Sequence, residues 1–96
     1  MGQRQRPGKH FIDVMPFREL VMKNIEENDA VTVGMETGMS TRIIYRMIHD
    51  QQWIHFDYAD RIVCKLGGPF LWQEEPFKTL YYSTDLSGLD RLEKVN

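Results

Sequence analysis

The stretch "STRIIYRMIH" holds Arg42, Tyr45, Arg46 and His49 at intervals of three and four, with the hydroxyls of Ser40 and Thr41 just ahead of them. On a helix that spacing gathers the four larger side chains on one side. These residue types do not by themselves make or break bonds. A guanidinium forks onto the acceptors of a guanine edge, and hydroxyls reach phosphates or bases. The chemistry on offer is therefore the gripping of a polyanion with readable edges. The plain alternative is a solvated basic face on an ordinary helical hairpin.

Other chemistries fail on spacing. His10, His49 and His55 with Cys64 match no compact zinc pattern. Glu74 and Glu75 are adjacent and point apart on most backbones, so they make a poor pair of acid and base. No serine has a convincing histidine and aspartate motif around it, and no glycine-rich loop is suited to cradling phosphate. No catalytic residue, metal or cofactor is expected, and an enzyme is not expected.

The elements that must position this face can be read on either side of it. "PFRELVMKNIEEN" spaces Phe17, Leu20, Val21 and Ile25 for a helix ending near Asn28, with Asp13 as its N-cap and Pro16 in its first turn. Asp29 caps the next element. Its β-branched residues, "AVTVGMET", suit a strand as well as a helix. Gly38 tips the balance as a left-handed stop, and Ser40 or its neighbour caps a new helix. There Ile43, Ile44, Met47 and Ile48 face inward. The outcome is two short helices joined by a tight glycine turn, a helix-turn-helix. Beyond it, "QQWIHF" reads as a connector anchored by Trp53 and Ile54. Asp57 is the expected cap of a helix over "YADRIVCKL", which "GGP" ends. A further short helix starts at Pro76. Trp72 is expected to close the core; Tyr81 and Tyr82 suit either core closure or a protein interface.

A DNA-binding helix-turn-helix makes stricter demands, and residues 30 to 49 meet them. Gly34 is the tiny residue where the helices cross and Gly38 is the turn. Val33, Met39, Ile44 and Met47 take the inward positions. Thr37 departs from the pattern, since a larger aliphatic residue is usual there.

Composition narrows the classes further. With 96 residues and a 42% hydrophobic content, the chain fits one small globular domain with a modest core and excludes the disordered class. The single cysteine, Cys64, excludes an internal disulfide and is expected to be a buried free thiol in "RIVCKL". There is no membrane-length apolar run, and the basic N-terminus leads into no signal-peptide stretch. A cytoplasmic protein without a membrane partner is expected. The net charge of −2 argues against nucleic acid, but its distribution argues for it. Arg4, Arg6 and Lys9 in residues 1 to 10, and Arg42 and Arg46 in residues 40 to 49, are two basic islands in an acidic chain. The first suits a flexible basic arm that enters a DNA minor groove, or an arm with no role.

"AVTVGMETGMSTRIIYRMI" resembles the helix-turn-helix of phage repressor and Cro-like regulators. "WIHFDYADRIVCKLGGPFLW" is similar to a stretch that follows such a motif in small helix-turn-helix proteins and immunity repressors of actinobacterial phages. There an aspartate-capped helix with an "ADR" core precedes a leucine-tryptophan pair. Together they cover about residues 29 to 73. The resemblance implies a phage or prophage transcriptional regulator in a bacterial cytoplasm, with Arg42, Tyr45 and Arg46 on its recognition helix.

The expectation is an all-α domain of four to five helices: an arm over residues 1 to 10, a DNA-binding domain over 11 to 84, and a tail or last short helix over 85 to 96. Its partner is double-stranded DNA, read sequence-specifically through Ser40, Thr41, Arg42, Tyr45, Arg46 and His49, with Arg4, Arg6 and Lys9 from the arm. A homodimer reading two half-sites is the second partner considered. The alternatives are a protein–protein interaction module on the same scaffold, using the acidic and aromatic C-terminal half, and an excision-type architectural factor.

Overall fold

Ile12 and Ile54 face each other across two short antiparallel strands, and both are buried. The strands are β1 (Phe11–Asp13) and β2 (Trp53–His55), with Phe11 opposite His55 and Asp13 opposite Trp53. In each the middle residue turns inward and its neighbours stay half-exposed, the period of two that defines a strand. This sheet corrects the all-α expectation, and it corrects "QQWIHF" from a connector to a connector plus a strand. Three residues are too few for alternation to stand out, and the partner strand lies far off in the sequence.

The computed structural model describes residues 8 to 87. The arm residues Arg4 and Arg6, and the last turn expected around "LDRLEK", lie outside the described residues. The remainder is mostly helical: α1 (Met15–Glu27), α2 (Ala30–Thr37), α3 (Thr41–His49), α4 (Phe56–Ile62) and α5 (Phe77–Ser83). A π-helical turn, Val63–Gly67, continues α4, and a short 3-10 turn, Leu71–Gln73, precedes α5.

Local chemistry accounts for most of the boundaries. Asp13 is not the cap residue of α1; that position is Val14. Asp13 still serves the helix start, because its Oδ1 accepts from the Met15 N–H at 2.8 Å. The Asp29 carboxylate caps α2 by accepting from the Thr32 N–H at 2.8 Å. That bond holds the carboxyl of Asp29 below its ordinary value of 3.8. The expected Asp57 cap of α4 is corrected: His55 caps it, its Nδ1 accepting from the Asp57 N–H at 3.1 Å. Asp57 is two residues past the cap position and supplies a first-turn negative charge instead.

One core joins all these elements. Phe17 and Val21 of α1 meet Val33 of α2, Ile44 and Met47 of α3, and Ile62 of α4. Trp72 closes it as expected. Its ring stacks on Phe56 at 5.3 Å, and its Nε1–H donates to Asp60 Oδ1 at 2.8 Å. Asp60 is buried, so this donor helps satisfy a carboxylate that would otherwise be costly to bury. The two tyrosines divide: Tyr81 packs edge-on against Trp72, and Tyr82 is exposed. Cys64 corrects the buried-thiol expectation, since it lies on the exposed side of its helical turn. Its apolar neighbours in sequence point elsewhere, because a helix carries adjacent residues to different faces.

Candidate nucleic-acid interface

α3 is the element that carries the candidate side chains, and three contacts set its position. The first is the turn that precedes it. Gly38 has φ +71° and ψ +26°, a left-handed conformation that glycine adopts without penalty. The N–H groups of Gly38 and Met39 both donate to the carbonyl of Gly34, closing the end of α2. Ser40 then opens α3 by accepting from the Ile43 N–H at 3.2 Å.

The second contact is the crossing of α2 and α3 at Gly34. A Cβ on this residue would stand 2.5 Å from the Met39 carbonyl oxygen and 3.4 Å from Ile44 Cδ1. Only a hydrogen fits there. Thr37, the departure from the usual pattern, is buried, and its hydroxyl donates back to the Val33 carbonyl at 2.8 Å. That bond lets a polar side chain sit where an aliphatic one is usual.

The third contact comes from α1. Arg18 donates from Nε to the Met47 carbonyl at 3.1 Å and from Nη2 to the Gln51 carbonyl at 2.6 Å. One C-terminal carbonyl of α3, that of Met47, and the carbonyl of Gln51 just past the helix are thereby held by a cation from another helix.

With Ile44 and Met47 fully buried, geometry turns the other side of α3 outward. Ser40, Arg42, Tyr45, Arg46 and His49 are exposed and Thr41 is half-buried. Tyr45 and His49, one turn apart, stack with ring centres 6.3 Å apart and planes 9° apart. α3 carries no acidic residue, and neither Arg42 nor Arg46 enters an ion pair among the described residues. The face therefore presents two arginines with no ion-pair partner among the described residues.

Arg46 also stands on the rim of a half-open groove of about 410 Å³, whose other walls include Phe11, Ile43, Trp53 and Tyr58. Phe11 is the first residue of β1. Lys9, expected within the arm, belongs to a turn over residues 8 to 10. Its Nζ lies 3.3 Å from Ser87 Oγ and 3.9 Å from Asp85 Oδ2, both exposed contacts of small worth. The neighbouring His10 ring Nε2 lies 2.9 Å from the Ser87 carbonyl oxygen.

Two residues important to this geometry carry no signal of their own in the sequence, Arg18 and Arg61. Arg61 of α4 donates from Nη1 to the Gly38 carbonyl at 3.2 Å, with its guanidinium 5.4 Å from the Tyr58 ring centre. Both arginines serve backbone carbonyls distant in the chain, and carbonyls leave no mark on residue type. Among the described residues no group of three or more His, Cys, Asp or Glu could hold a metal ion. No helix among them is long and apolar enough to cross a membrane. No family model matches the chain, and comparison with curated proteins and with solved structures gave no match either.

Proposed function

We propose that the chain is a sequence-specific double-stranded DNA-binding transcriptional regulator of repressor or Cro-like type, acting in a bacterial cytoplasm and of phage origin. In this reading α2, the Gly38 turn and α3 form a DNA-binding helix-turn-helix, and α3 enters the major groove. The observation that carries the reading is the outward face of α3. Arg42, Tyr45, Arg46 and His49 share it, with no acidic residue on the helix and no ion pair to either arginine among the described residues. An exposed, unneutralised arginine pair on a rigidly held helix suits base edges and phosphates. Arg4 and Arg6 in the basic N-terminal stretch would add phosphate contacts to the same duplex. The resemblance of residues 29 to 73 to phage regulators supports the same conclusion.

A second reading has its own observation. Phe70 and Tyr82 are 67% and 76% exposed, and the molecule is slightly acidic overall. Large exposed aromatics are enriched at protein interfaces, so an interaction module on this scaffold is the rival. Selection of bound duplexes from a random pool, followed by titration at two salt concentrations, separates the two. Enrichment of one sequence with strong salt dependence supports the regulator; no duplex binding at low salt removes it in favour of the rival.

A further inference from the structure

Arg61 lies outside the outward face of α3, yet it sits at the mouth of that helix. Its Nη1–H donates to the carbonyl of Gly38, two residues before Ser40 caps α3. The guanidinium lies over the ring of Tyr58, one turn earlier on α4. Two fixed neighbours, a carbonyl and an aromatic face, hold a side chain that ordinarily has many rotamers. Neither neighbour neutralises it: both are uncharged, and no ion pair to Arg61 exists among the described residues. A carbonyl uses one of the five guanidinium N–H donors, which leaves a fork available on a pre-positioned, half-exposed cation.

A brace alone does not require that charge. A neutral donor of similar reach would hold the Gly38 carbonyl as well. The remaining donors and the full positive charge suit an anion that offers a pair of oxygens, such as the two non-bridging oxygens of a phosphate, which arginine grips better than lysine does. We infer that Arg61 is a second nucleic-acid contact, binding a backbone phosphate beside the start of α3 while its other edge holds the Gly38 turn. The ligand is the sugar–phosphate backbone of the duplex. The inference rests on the proposed reading of α3, and it adds a contact from a different helix. Because phosphate carries no sequence information, Arg61 sets the register of α3 and the affinity for any duplex, and leaves base preference to α3.

The test is a pair of titrations, selected duplex and random duplex, at several salt concentrations, on the full chain. Arg61→Gln removes the charge and stops two bonds short of the donor that holds the Gly38 carbonyl; Arg61→Lys keeps the charge. The expected result for Arg61→Gln is a log–log salt slope shallower by about 0.9 on both duplexes, which amounts to about an eightfold weaker affinity at 0.1 M salt on extrapolation from 1 M. Discrimination between the duplexes should stay unchanged, and Arg61→Lys should retain most of the slope. A parental slope in Arg61→Gln overturns the inference and leaves Arg61 as a brace alone. In the unmutated protein, the Arg61 Nε–Hε resonance should shift when duplex is added. A resonance that stays put while those of Arg42 and Arg46 move also overturns the inference, without reference to any variant's stability. If the unmutated chain binds no duplex at low salt, the reading of α3 fails first and takes this inference with it.

Discussion

Arg18 on α1 donates to the carbonyl oxygen of Met47 on α3 at 3.1 Å, so one helix caps the end of another. The same guanidinium reaches the Gln51 carbonyl at 2.6 Å, and together these bonds fix where α3 stops. Arg18→Met keeps much of the stem and removes both donors. Charged hydrogen bonds in partly buried settings are worth about 1.5–3 kcal/mol, so the variant should lose roughly that much stability in urea unfolding. An unchanged unfolding midpoint would show that water replaces the guanidinium without loss.

The two glycines around the turn should fail for different reasons. Gly38→Val places a β-branched side chain at φ +71°, at a cost of about 1–2 kcal/mol. Gly34→Leu drives a side chain against the Met39 carbonyl and Ile44, and overpacking of this kind costs about 1–3 kcal/mol or more. Gly34→Leu should also impair duplex binding in the fraction that stays folded, because the angle between α2 and α3 must open. Melting curves for both variants check the first part, and titration below the melting range checks the second.

Asp29 gives a pH signature. Its folded carboxyl titrates below 3.8 because the charged form accepts the Thr32 N–H. A group depressed on folding contributes stability that is complete above its unfolded value and is lost as pH falls through the folded one. The parent should therefore lose more stability than Asp29→Asn as pH drops below 3.8, while the two behave alike near neutrality. Melting temperatures of both proteins at neutral pH and in acid below the ordinary carboxyl range provide the comparison. Parallel losses would mean that this cap does not titrate with folding.

Arg42 and Arg46 should differ in kind. Arg42 lies in the first turn of α3, where, in the proposed reading, side chains reach base edges. Arg42→Ala should cost about 1–3 kcal/mol on the selected duplex and much less on random DNA. Arg46 stands one turn later, on the protein groove that Phe11 also lines, and in the proposed reading it meets phosphates. Arg46→Ala should weaken both duplexes more evenly and lower the salt slope by about 0.9. Both side chains are exposed, so neither change should shift the melting temperature. Parental binding by both variants would remove α3 as the reading face.

Deletion of residues 1 to 7 removes Arg4 and Arg6 and spares the turn that holds Lys9 and His10. The shortened chain should bind duplex more weakly, with a salt slope lower by about 0.9 for each phosphate that the arm neutralises. A slope equal to the parent's would show that the arm takes no part.

Residue type and spacing alone determined much of the molecule. Asp29 and Ser40 as caps, Gly38 as a left-handed stop, and the inward set of Val33, Ile44 and Met47 were all legible, because each depends on neighbours within four residues. The outward face of α3 followed from the inward one by helical geometry. The sheet was not legible, since Ile12 and Ile54 find each other only when α1, α2 and α3 have folded between them. The same reason hid the exchange of Asp57 for His55 as a cap: pairing of β2 decides where α4 begins. Nothing in residue type or spacing marks Arg18 and Arg61. Only the tertiary structure gives them backbone carbonyls to hold, because a carbonyl belongs to every residue and its position in space is set by the packing of the whole chain.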